Sequence, residues 1–99
     1  MSYLDKMREA WRFELLKLLA SMPGYESGQY FLYTCMADGE LPPPSSDQVA
    51  TELQWLADQG LITLSASTQL STAVINQRGL DVAQGLARVP GVARPRPAN

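Results

Sequence analysis

The residue types that carry most enzymatic and metal chemistry are nearly absent from this chain. It has no His and a single Cys, Cys35, which removes His-dependent triads, His-ligated metal sites and the commonest general base. Cys35 lies in an apolar stretch with no basic neighbour to favour a reactive thiolate, so an inert thiol is expected. Asp38 and Glu40 flank Gly39, and two loop carboxylates with no further ligand in range form a solvated pair rather than an acid-base or cation site. There is no phosphate-cradling glycine loop, no dinucleotide fingerprint and no paired-cysteine motif. No catalytic residue, cofactor, metal or small-molecule substrate is expected.

What remains is recognition chemistry, concentrated between residues 45 and 60. With Val49, Leu53 and Leu56 as a buried stripe and about 100° of rotation per residue, Asp47, Thr51, Gln54 and Asp58 fall on the outward side of a helix, with Gln48 and Trp55 on its flank. Thr51 and Gln54 suit hydrogen-bonded readout of a partner, whereas the two aspartates repel phosphate. Trp55 has two readings, an interface anchor or a core-boundary ring packed against a neighbouring element, and the second is preferred.

The charge distribution weighs on the choice of partner. The net charge is −2, yet residues 21–76 hold Glu26, Asp38, Glu40, Asp47, Glu52 and Asp58 without one Lys or Arg. The cations left for a nucleic-acid backbone are Arg8, Arg12 and Lys17 near the start and Arg78, Arg88, Arg94 and Arg96 near the end. Because phosphate attraction supplies most nonspecific and much specific affinity for DNA, a protein partner is preferred and DNA is the alternative, with Arg8, Arg12, Lys17 and Arg78 as its backbone contacts.

Several elements must position these residues. Leu4, Met7, Trp11, Leu15, Leu18 and Met22 recur at three- and four-residue spacing, predicting an amphipathic helix from Ser2, its cap, to Pro23-Gly24. A second apolar flank of Phe13, Leu16 and Leu19 is the candidate homodimer contact. Ser27 is expected to cap a short helix running through Tyr30, Phe31, Tyr33, Cys35 and Met36. Pro42-Pro43-Pro44 forms a stiff connector. Ser45 with Gln48 is a capping box opening the third helix, which ends at Gly60. The β-rich runs 61–64 and 70–75 flank a small, uncharged turn at 65–69 and predict an antiparallel hairpin. Leu80, Ala83 and Leu86 or Ala87 then give a short fourth helix from Gln77, followed by a tail rich in Pro and Arg.

Leu53-Gln54-Trp55-Leu56-Ala57-Asp58-Gln59-Gly60-Leu61-Ile62 resembles the end of a winged-helix third helix, where leucines pack inward and Gly releases the chain into the wing. Ile75-Asn76-Gln77-Arg78-Gly79 resembles the strand-to-last-helix junction of such proteins, with Asn76 in place of their usual Thr. Together with the closing Arg88-Val89-Pro90-Gly91-Val92-Ala93-Arg94-Pro95, the chain is similar over nearly its whole length to small winged-helix, ArsR-like proteins encoded by Mu-like phages and prophages. The resemblance implies an α+β winged helix-turn-helix: three helices, a β-hairpin wing, a short C-terminal helix and an extended tail.

The 99 residues, 45% of them apolar, suffice for one domain, placed at 1–87, with a tail at 88–99. No apolar run is long enough to span a membrane, and the lone Cys35 without a signal-peptide pattern favours the cytoplasm. Val89 to Arg94 is expected to lie ordered against the fold, drawn by Arg94 and Arg96 towards an acidic surface. The expectation is a non-enzymatic, homodimeric phage protein that binds another protein, or alternatively a dimeric DNA-binding regulator.

Overall fold

The computed structural model describes residues 2–66 and 71–95. Within them the chain is α+β, four helices and a three-stranded antiparallel sheet. The hairpin turn at 67–69, the strand start at Leu70, and Arg96 and Pro97 of the tail lie outside the described residues. No described helix is long and apolar enough to cross a membrane.

Helix α1 (Tyr3–Ser21) begins where Ser2 Oγ accepts from the Asp5 amide at 3.0 Å, satisfying one of the donors a helix start leaves open. Its buried residues are Trp11, Arg12, Leu15, Leu16 and Leu19. The inward face is thus rotated from the expected stripe, and Leu4 is 52% exposed. A 3-10 turn (Pro23–Tyr25) leads into strand β1 (Glu26–Gly28), and helix α2 (Gln29–Ala37) follows.

The strand corrects one expectation. Ser27 does not cap the second helix: it is buried in β1 opposite Ala73, and Gly28 occupies the cap position without a side-chain bond. The proline connector after α2 is fastened to α1 by the Trp11 indole, which donates through Nε1 to the Pro42 carbonyl at 2.9 Å.

Helix α3 (Ser46–Asp58) opens on the expected capping box. Gln48 N donates to Ser45 Oγ, and Ser45 N donates to Gln48 Oε1. Strands β2 (Ile62–Ala66) and β3 (Ser71–Ile75) pair with Leu64 opposite Ala73, and the sheet order is β1-β3-β2. Ser65 and Ala66, expected in the turn, extend β2 instead. Helix α4 (Gln77–Ala83) starts at Asn76, whose Oδ1 accepts from Gly79 N at 2.9 Å while its Nδ2 donates to the Gly60 carbonyl at 2.8 Å. One amide therefore ties the exit of α3 to the entry of α4. A Cβ on Gly79 would collide with the Leu61 carbonyl oxygen, so only glycine permits this approach.

The core gathers Leu15, Leu16 and Leu19 of α1, Leu32 of α2, Val49, Leu53 and Leu56 of α3, Ile62 and Ile75 of the sheet, and Val82 of α4. Leu86, a candidate for the last helix, lies past its end and is 75% exposed. Val89 and Val92 are buried in the same core, and Ala93 N donates to the Glu9 carbonyl at 3.2 Å. The segment is ordered as expected, but apolar burial and backbone bonding to α1 anchor it. Among the described residues Arg94 forms no ion pair.

Candidate interaction site

The third helix turns its candidate recognition residues outward, as the rotation argument required. Asp47, Gln48, Thr51, Gln54 and Asp58 are exposed and Trp55 is half-buried. Gln54 Nε2 donates to Asp58 Oδ1 at 2.9 Å, one turn along, and the Thr51 hydroxyl donates to the Asp47 carbonyl at 3.0 Å. Together with Arg8 and Ala50, the residues Thr51, Gln54, Trp55 and Asp58 line a shallow depression where α3 meets α1.

Beneath this face lies the arrangement that sets its electrostatics. Glu52 is only 1% exposed, and each of its carboxylate oxygens accepts from a different arginine of α1. Arg8 Nε lies 2.7 Å from Oε2 and Arg12 Nε lies 2.6 Å from Oε1. A buried carboxylate needs such charge-assisted partners, because an unpaired charge in a desolvated site is strongly unfavourable. The Arg12 guanidinium carbon also stacks 4.0 Å from the centre of the Trp55 ring, a cation–π contact, and its Nη1 donates to the Gly91 carbonyl at 2.9 Å.

Gly91 closes the other side. Its φ is +97°, and a Cβ there would come 2.6 Å from Trp55 Cζ2. Residues 89–93 thus act as a clasp over Trp55 and Arg12. Trp55 is held by its own chain, as the core-boundary reading preferred, with part of its indole left at the rim of the depression.

This geometry bears on two sets of expected residues. Of the expected DNA-backbone contacts, Arg12 is withdrawn from the surface, while Arg8 keeps 35% of its side chain exposed. Arg12 is 8% exposed, and both commit their Nε to Glu52. Lys17 is exposed and pairs loosely with Glu14 at 3.7 Å, while Arg78 Nη1 donates to the Gln59 carbonyl at the end of α3.

The dimer set fares similarly. Leu16 and Leu19 are 0% exposed within the protomer and offer no surface to a second chain, while Phe13 is half-buried under Lys17. The helix has a wide apolar surface because it packs against α2, α3, α4 and strand β3 of its own chain.

Glu52 is the residue that sequence reasoning counted without placing. It falls between Val49, Leu53 and Leu56 on the inward stripe, and that spacing was a usable signal for a buried, paired acid. Gly91 offered only its place in the closing motif.

The uncharacterized protein gp26 of Escherichia phage Mu is 36% identical to this chain over 93 residues, covering 94% of this chain and 95% of that protein. No family model matches the chain, and no solved structure matches it.

Proposed function

This chain belongs to the family of the phage Mu protein gp26, and from that premise we propose that it is a winged-helix-like module acting by binding rather than catalysis, in the cytoplasm, with the outward face of α3 docking a protein partner. The order helix, strand, helix, helix, strand, strand, with the first strand beside the third, supports the winged-helix reading.

One observation carries the choice of partner. Helix α3 carries Asp47 and Asp58 on its exposed face and no Lys or Arg of its own, and the two α1 arginines beside it give their Nε groups to Glu52. A helix of this charge lacks the main attraction for a phosphate backbone, whereas Thr51, Gln54 and the rim of Trp55 between two carboxylates suit a protein surface with basic groups at its edge.

The test is a capture experiment with immobilised protein, nuclease-treated, beside a duplex-DNA titration at physiological salt. A nuclease-resistant partner lost on Gln54→Ala or Asp58→Lys, with no duplex binding, is the expected outcome. Duplex binding at that salt, abolished by Thr51→Ala or Gln54→Ala, overturns the reading in favour of a DNA-binding regulator.

A further inference from the structure

The two outer edges of the sheet are built differently. The β1 edge has three residues, begins with the exposed charge of Glu26 and follows Tyr25 in a positive-φ conformation (φ 58°). A short, charged, sharply entered strand resists pairing with another chain. The β2 edge has none of these protections. Ile62–Ala66 is five residues long and contains no charge, no proline and no glycine.

The direction of its backbone groups follows from the register. Asn76 N donates to the Leu61 carbonyl at 3.2 Å, and these two residues continue the ladder in which Ile62 faces Ile75 and Thr63 faces Val74. Leu61 and Asn76 are therefore a hydrogen-bonded pair, and alternation along an antiparallel ladder turns the N–H and C=O of Thr63 and Ser65 towards β3. Those of Ile62, Leu64 and Ala66 point out of the sheet, and among the described residues Ile62 and Leu64 have no further hydrogen bond across that edge.

We propose that this edge is a self-association surface, at which a second copy adds its own β2 antiparallel about a two-fold axis through Leu64. The side chains favour a second copy as occupant. In this register Leu64 pairs with Leu64 of the second copy by hydrogen bonds, and Thr63 falls opposite the second copy's Ser65 in a close, non-hydrogen-bonded pair, twice by symmetry. Thr63 and Ser65 are both exposed, so two hydroxyl pairs form on the solvent side, while half-buried Leu64 meets its counterpart on the core side. An uncharged edge offers nothing to a charged strand and meets no like-charge repulsion from itself. The product is a continuous six-stranded sheet carrying two α3 faces, and it replaces the α1 contact that the burial of Leu16 and Leu19 removes.

The test is sedimentation velocity over a concentration series for the unmodified chain, Thr63→Lys/Ser65→Lys and Thr63→Lys/Ser65→Glu, with circular dichroism to establish folding. The unmodified chain is expected to dimerise. The double-lysine variant places like charges opposite one another at both pairs and should weaken association by at least about tenfold. The lysine–glutamate variant makes both pairs opposite in charge and should restore it, with the restored part declining in high salt. Amide exchange of the unmodified chain gives a second readout: the outward Leu64 amide should become more protected as concentration rises, in step with dimer formation. A monomer at every concentration up to about 1 mM, a dimer indifferent to the double-lysine change, or a Leu64 amide whose protection ignores concentration overturns the proposal.

Discussion

Arg12 and Glu52, 40 positions apart in sequence, form the closest ion pair in the described fold, with Nε 2.6 Å from Oε1 and both side chains almost wholly out of solvent. Through that pair α1 and α3 are locked in both register and charge. The arrangement joins the scaffold to the outward face of α3, because the same turn that buries Glu52 turns Thr51 and Gln54 outward.

Replacing Glu52 by Gln should therefore leave two arginines facing a neutral amide. Removing one partner of a buried pair typically costs about 3–5 kcal/mol, and the lower end is expected here because Arg8, with 35% of its side chain exposed, stays screened by water. At roughly 4–8 °C per kcal/mol for a domain of this size, thermal unfolding should show a fall well above 10 °C. A fall of only a degree or two would show the network to be energetically idle.

The clasp yields a glycine comparison. Gly91→Ala forces a side chain towards Trp55 at a positive φ and should destabilise by about 2 kcal/mol, with a change in near-ultraviolet circular dichroism from the displaced indole. Gly28→Ala, at a position with φ −69° and nothing within 4 Å of the added carbon, should be tolerated. Equal melting temperatures for the two variants would remove the steric account of residue 91.

Deletion of residues 88–99 removes Val89 and Val92 from the core and the Gly91 carbonyl from Arg12. Burial of a valine contributes about 1.5–3 kcal/mol, so the truncated chain should melt much lower. The loss should persist in 1 M salt, since apolar contact is not screened. A loss that vanishes at high salt would instead restore the charged-tail explanation.

Reversing both exposed aspartates, Asp47→Lys with Asp58→Lys, should leave the fold intact, because neither side chain is buried. It should also confer weak duplex binding at low salt that disappears as ionic strength rises, through counterion release at the two added lysines. Failure of the variant to bind at low salt would show that shape, as well as charge, keeps α3 out of a groove.

How far these features were legible depended on how local their causes are. The Ser45–Gln48 box, the Asn76 cap and the paired β runs announce themselves within a few residues. Strand β1 does not: its three residues pair with β3, with Ser27 opposite Ala73, and a serine before an aromatic run looks locally like a helix cap. The outward residues of α3 were correctly placed because three leucine and valine positions define its phase. The fate of Arg8 and Arg12 was not legible, since their partner lies on another helix and charge counting treats Glu52 as surface.

The clasp also has a temporal side. Arg12 and Gly91 are 79 positions apart, and Ala93 bonds back to Glu9, so the leading helix completes its environment only when nearly the last described residues arrive. Closing so long a loop places the decisive contacts late and makes folding slower than in a bundle of neighbouring helices. Until then Trp55, Arg12 and the seats of Val89 and Val92 stand open to solvent, and a partly synthesised chain carries an apolar, aromatic surface of the kind that chaperones retain.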